Sequence, residues 1–247
     1  FSEMLGELAL TNRDDWAKSR TLNNFFLVTL NYIIIAMGVP IFLIFFFFYI
    51  RRRSSQEYLF YCLQLVCGLV IILELCSYWD LFGSQVLRLK FLGLAWVAIN
   101  VFHPIFLHRI YELKRKKIEA ALWLYLVFII ILLFTITGKT SDQMQALVLI
   151  GITTPIGLYN ISCHITALIR KSPYAKLFSF FGITVIMGAI HDGIIYLSKF
   201  TGYPIVFLGY SFPFMIFPYT AALLYTGTTL VLVSRFIGMM DEIEDLN

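Results

Sequence analysis

The chain is predicted to be an all-α integral membrane protein: a seven-helix bundle with its N-terminus outside and its C-terminus cytoplasmic. Three observations predict this. Of the 247 residues, 60% are hydrophobic and only 14% charged, a balance that belongs to a lipid-solvated chain rather than to a soluble domain of this size. Apolar stretches recur at 25–50, 57–79, 86–108, 118–137, 144–169, 177–198 and 213–235. Each is close to the roughly 20 residues that a helix rising about 1.5 Å per residue needs to cross about 30 Å of hydrocarbon. The basic residues between them pile up on alternate sides.

Helices rather than a barrel follow from the pattern within the stretches. In lipid the backbone must satisfy its own hydrogen bonds, and a barrel strand would alternate polar and apolar residues. Runs such as Phe42 to Tyr49 do not alternate.

Taken in order, residues 1–24 are expected to form an extracellular juxtamembrane segment carrying Arg13, Lys18 and Arg20. After the first span come Arg51, Arg52 and Arg53; after the third, Arg109, Lys114, Arg115, Lys116 and Lys117; after the fifth, Arg170, Lys171 and Lys176; after the seventh, Arg235. The other side holds Arg88, Lys90, Lys139 and Lys199 besides the three N-terminal cations. By the positive-inside rule the heavily basic side is cytoplasmic. Trp16, Tyr78 and Trp79 are expected at the outer interface and Tyr58, Tyr111 and Tyr174 at the inner one, where amphipathic rings collect. Most of the 24 phenylalanines are expected to face lipid. The net charge of +4 suits an anionic inner leaflet and requires no nucleic-acid partner.

Cys62, Cys67, Cys76 and Cys163 all fall inside apolar stretches, so no disulfide framework is implied and soft packing is the expected role. No Cys or His cluster has metal-ligand spacing, and neither a cofactor nor a catalytic constellation is expected.

Ionisable groups within spans are costly and therefore point to function or to paired structure. Glu74 lies roughly 25 Å above Glu57, and His191 and Asp192 roughly 23 Å above Lys176, along their helices. All three would share the outer part of the bundle, either pairing structurally or binding a polar ligand or proton. Residues 202–212 are expected to form an outer loop or re-entrant lid. With Tyr203, Tyr210 and Tyr219, the trio Glu74, His191 and Asp192 would line a ligand site at that end. Nearer the basic side, His103 and His164 each stand about 9 Å from the inner boundary. Asn100 and Asn160 stand one turn above them. A polar contact between the third and fifth helices through these four residues is expected, as a clamp or as a hinge. Pro104, Pro155, Pro213 and Pro218 are expected to kink their spans.

Beyond the seventh span, Phe236, Met239, Ile243 and Leu246 follow a 3-4-3 spacing, with Asp241, Glu242, Glu244 and Asp245 on the remaining faces. That spacing predicts that residues 236–247 begin a two-stranded coiled coil continuing the seventh helix, and hence a homodimer. The competing reading, an amphipathic helix lying on the bilayer, calls for basic rather than acidic residues. Arg235, Phe236, Met239, Ile243 and Leu246 are the expected transmitting residues. The start at Phe1 and the charged helical pattern at Asn247 lead to the expectation that the segment is part of a longer chain.

These segments carry a resemblance. FFFFYIRRRSSQEYLFYCL at the first turn, IHDGIIYLSKFTGYP in the sixth span and LVSRFIGMMDEIEDLN at the exit resemble the bacterial seven-transmembrane receptors with diverse intracellular signalling modules. The resemblance covers nearly the whole chain. It implies a sensor bundle of the bacterial inner membrane, preceded by an extracellular ligand-binding domain. It also implies a cytoplasmic output after the bundle: histidine kinase, nucleotide or diguanylate cyclase, or phosphatase. On this reading the segment itself is not an enzyme.

Other classes fit less well. A retinal-binding opsin needs a lysine in the last span, and none lies between Lys199 and Asn247. HRIYELK and FPYTAALLY are poor matches to the motifs of rhodopsin-type receptors. A small-molecule transporter or channel is the alternative, but no internal repeat is visible.

Overall fold

The computed structural model describes residues 28–76, 85–135, 141–201 and 217–244. All regular structure among them is helical: α1 (Leu30–Arg51), α2 (Gln56–Cys76), α3 (Gln85–Ile110), α4 (Lys116–Thr135), α5 (Ser141–Ile169), α6 (Ala175–Thr201) and α7 (Phe217–Glu244). Within the described residues, Leu30–Arg51, Gln56–Leu73, Lys90–Ile110, Lys116–Thr135 and Tyr219–Gly238 are long and apolar enough to cross a membrane. Pro155–Ile169 and Ala175–Gly188 are shorter apolar parts of α5 and α6.

The turns at the basic end are short and closed by backbone hydrogen bonds. At the end of α3, Leu113 N–H donates to the His108 carbonyl at 2.8 Å and Glu112 N–H to that of Arg109 at 3.4 Å. Glu112 itself is left-handed, with φ 54°. The end of α5 repeats the motif, with Ser172 N–H on Ala167 O and Lys171 N–H on Leu168 O, and Lys171 at φ 53°. Both are Schellman closures, built here without the usual glycine. Pro40, Pro104 and Pro155 lie inside α1, α3 and α5, and each helix continues past its proline.

Packing places α3 at the centre, against α2, α4 and α5. A ring then closes from α5 through α6 and α7 back to α2 and α1, while α4 packs on the flank of α3. Val97, Val101, Ile105 and Leu107 on α3 are fully buried. Outward faces are apolar instead: Ile33, Met37, Leu43 and Phe47 of α1, Leu124, Val127, Phe128 and Ile131 of α4, and Phe180 and Met187 of α6 are all exposed. Gln64, His108, Asn160, His164, Ser179 and Thr228 are buried. Apolar residues outside and hydrogen-bonding residues inside form the arrangement expected where the solvent is hydrocarbon.

Small residues let the helices approach closely. A Cβ at Gly68 of α2 would meet the Tyr225 hydroxyl of α7, and one at Gly182 of α6 would collide with the His164 imidazole of α5.

One sequence expectation is corrected by this packing. Tyr58 and Tyr111 are core residues, 1% and 4% exposed, rather than interfacial rings; Tyr174 is exposed. The phenylalanines divide: Phe45, Phe60, Phe102, Phe106 and Phe178 belong to the core, while Phe46, Phe47, Phe91, Phe128, Phe134 and Phe180 are exposed. Aromatic contacts inside the bundle hold the two tyrosines, Tyr58 stacked with Phe45 at 5.8 Å and Tyr111 edge-on to Phe178 at 6.1 Å.

Candidate coupling site at the basic end

The helix that leaves the bundle, α7, is held to α2 by two tyrosines that reach into each other's helices. Tyr61 of α2 donates its hydroxyl to the Tyr225 carbonyl of α7 at 3.0 Å and lies 2.7 Å from Thr229 Oγ1. Tyr225 donates its own hydroxyl to the Gln64 carbonyl of α2 at 3.1 Å. Both rings are buried, and the Gly68 notch is what admits the Tyr225 ring to the α2 backbone. In a dry environment each such bond protects two polar groups that would otherwise be costly to bury.

Three turns further along α7 a second attachment forms. Arg235 places one guanidinium nitrogen 3.9 Å from Glu57 of α2 and another 3.9 Å from Glu112 of the α3–α4 turn. The next residue, Phe236, stacks on Phe48 of α1 with centroids 4.4 Å apart and planes 9° from parallel. Consecutive residues of α7 thus touch α1, α2 and the α3–α4 turn at one level.

Glu119, in the first turn of α4, gathers the neighbouring helices. Arg109 of α3 grips it with two bonds of 2.7 Å and passes its Nε hydrogen to Gln56 of α2 at 3.0 Å. His108 Nδ1 lies 3.0 Å from the same carboxylate, and its Nε2 lies 2.6 Å from the Tyr159 hydroxyl of α5. Arg115 donates to that hydroxyl at 3.2 Å and sits 5.6 Å over its ring. The donor count closes if His108 gives Nδ1–H to Glu119 and accepts the Tyr159 proton on Nε2. The Tyr159 hydroxyl beside Arg115 raises the affinity of that guanidinium for its proton, against a smaller opposing effect of burial. The bidentate geometry makes this a strong polar joint.

The four polar residues expected to join the third and fifth helices are brought to one region but bond differently. The rings of His103 and His164 stand 6.2 Å apart. His103 Nδ1 lies 2.9 Å from Gln64 Oε1, while His164 Nδ1 lies 3.1 Å from the Tyr111 hydroxyl. Burial holds the Tyr111 phenol well above its usual range, so it stays protonated. Asn100 donates to Trp96 O of its own helix at 2.9 Å, and Asn160 Oδ1 has no hydrogen-bond partner among the described residues. Gln64, His108, Glu119, Tyr159 and the Tyr61–Tyr225 pair were not singled out from sequence. Only Glu119 carried a signal, being the first acid after a short basic turn that forces α3 and α4 side by side.

Of the expected transmitting residues, Arg235 and Phe236 make the contacts above. Met239 and Ile243 lie on α7, but their side chains, like Leu246 as a whole, are outside the described residues. At the opposite end, His191 and Tyr219 are half-buried on α6 and α7. Glu74 and Asp192 are on α2 and α6 without described side chains; Tyr203, Tyr210, Pro213, the 202–212 stretch and residues 1–24 also lie outside the described residues. Among the described residues no group of three His, Cys, Asp or Glu side chains is placed to hold a metal.

Compared with known protein families, curated proteins and solved structures, the chain matches none of them.

Proposed function

We propose that the chain is the membrane sensor segment of a bacterial signalling receptor, crossing the inner membrane seven times with its amino end outside. A stimulus arriving from outside favours one of two packings of the bundle, and α7 carries the difference to a cytoplasmic output domain, a cyclase, kinase or phosphatase, in a homodimer. The resemblance of the first turn, the sixth span and the exit segment to bacterial seven-transmembrane receptors supports this reading. One observation carries most of it: α7 runs without interruption from Phe217 to Glu244, and Arg235 and Phe236 clip it to three other elements just before it continues outward. A rod held at one level transmits rotation or piston motion past that level.

The stimulus is proposed to enter at the outer end, at a small-molecule site lined by Glu74, His191, Asp192, Tyr203, Tyr210 and Tyr219 or through an attached extracellular domain. The coiled-coil register Phe236, Met239, Ile243 and Leu246 is proposed to pair two copies below the clip. The test is an insertion of three or four residues after Phe236 in the full-length protein. It should invert or uncouple the output while leaving membrane insertion intact, because it turns the seam away from its partner. An unaltered response would refute coupling through α7. Replacing Asp192 or Glu74 by alanine should alter the stimulus response alone, and a parental response in both variants would remove the outer site. Substrate uptake into vesicles without any regulated output would favour a transporter instead.

A further inference from the structure

We infer that the bundle holds a small cluster of bound water between α5 and α6, at the level where Tyr111 turns back under α3. The inference rests on buried polar atoms without protein partners. His164 is 1% exposed, Ser179 3% and Asn160 6%, and His164 Nε2, Ser179 Oγ and Asn160 Oδ1 make no hydrogen bond among the described residues. Leaving such atoms bare in a dry interior is costly, and buried groups of this kind are normally satisfied by ordered water.

The three residues follow one another along the α5–α6 contact, Asn160 about a turn to one side of the level where His164 meets Gly182 and Ser179 about a turn to the other. Asn160 and His164 stand one turn apart on the buried face of α5. Ser179 and Gly182 stand one turn apart on α6, and the missing Cβ of Gly182 is what allows the His164 ring tip to lie against that helix. Tyr111 joins the two helices, with its hydroxyl on His164 Nδ1 at 3.1 Å and its ring against Phe178 at 6.1 Å. Ser179 stands near that hydroxyl as well, without the geometry of a bond to it. Because Nδ1 is engaged, Nε2 lacks a protein partner in either tautomer: it offers a hydrogen if Tyr111 donates to Nδ1, and a lone pair otherwise. A water molecule can meet both cases, which a fixed donor or acceptor cannot.

On the facing ring, Gln64 sets the tautomer of His103. Gln64 donates through Nε2 to the Phe60 carbonyl at 3.1 Å, so its Oε1 faces His103 and fixes the hydrogen on His103 Nδ1. His103 Nε2 is then a lone pair, on a ring 6.2 Å from that of His164. Water at this junction extends a hydrogen-bonded belt from Tyr225 of α7 through Gln64 and His103 to α5 and α6. No carboxylate among the described residues takes part, so the site suits a neutral hydrogen-bonding guest rather than a cation.

The protein in lipid nanodiscs tests this with two measurements. If the atoms are hydrated, Ser179→Ala and Asn160→Leu each sever bonds to water and lower the unfolding midpoint by about 2–4 °C per severed interaction. If they are bare, both variants remove a desolvation cost, and an unchanged or raised midpoint overturns the proposal. Infrared difference spectra in H₂¹⁸O against H₂¹⁶O supply the second readout, valid even if Asn160→Leu does not fold. A confined-water stretching band present in the parent and lost or displaced in Ser179→Ala is expected. Identical water bands in parent and Ser179→Ala would overturn the inference whatever the midpoints do.

Discussion

Phe236 lies flat on Phe48, with ring centroids 4.4 Å apart and planes only 9° from parallel. The pair joins the last helix to the first at the level where α7 also meets Glu57 and Glu112 through Arg235. Phe48 also packs edge-on against Phe45 and Tyr58 of the core, so a single truncation mixes two losses and only the pair separates them. A double-mutant cycle with Phe236→Ala and Phe48→Ala should return a coupling of about 0.5–1.5 kcal/mol by chemical unfolding in detergent. Strictly additive losses would show that the rings only happen to lie together.

Glu119→Gln should be among the more damaging single changes at the basic end. It strips the charge from a carboxylate that accepts two bonds from Arg109 and faces His108. Loss of a charge-assisted interaction of this kind is about 1.5–3 kcal/mol, and a chain of this size loses about 2–4 °C of midpoint per kcal/mol. Thermal unfolding checks it; Glu119→Asp should recover part of the loss, since a carboxylate remains.

Tyr61→Phe and Tyr225→Phe each delete one hydroxyl from the α2–α7 clasp while keeping the ring. About 0.5–1.5 kcal/mol is expected for each. The Tyr61→Phe loss should be the smaller of the two, because Thr229 Oγ1 also donates to the Tyr225 carbonyl and keeps it satisfied. Urea or thermal midpoints of the parent and the two variants would show it.

Lys171→Gly should stabilise the protein. Lys171 has φ 53° at the end of α5, a conformation that costs a side-chain-bearing residue roughly 1–2 kcal/mol, of which glycine gives back part through its freer unfolded state. A net gain of about 0.5–1 kcal/mol is expected, and Lys171→Val should instead lose stability. A lowered midpoint for the glycine variant would contradict the left-handed closure.

The helices were legible in the sequence and their packing was not. Each apolar stretch overlaps a helix, and α3, expected over 86–108, runs from Gln85 to Ile110. Length and apolarity alone give that much. In a membrane bundle the face toward neighbours and the face toward lipid are both apolar, so nothing in the composition separated core Phe106 and Phe178 from exposed Phe47 and Phe180. Tyr58 and Tyr111 misled for the same reason: a tyrosine near a span end reads as interfacial unless its neighbours are known. Depth counting did bring His103 and His164 to one region, because rise per residue is fixed in a helix. Their actual partners, Gln64 and Tyr111, depend on rotation about the helix axes, which a single sequence does not encode visibly. The Schellman turns at Glu112 and Lys171 carry no glycine, and so gave no signal at all.

The most direct test of the account is the compartment of the two chain ends relative to the basic turns. With Cys62, Cys67, Cys76 and Cys163 replaced by alanine, single cysteines at Ser2, Ser54, Lys117, Ser172 and Asn247 can be labelled in intact cells by a membrane-impermeant maleimide. The account predicts labelling of the Ser2 position from outside, and of the other four only after the cytoplasmic face is opened. Labelling of the Ser2 and Asn247 positions from the same side would contradict it.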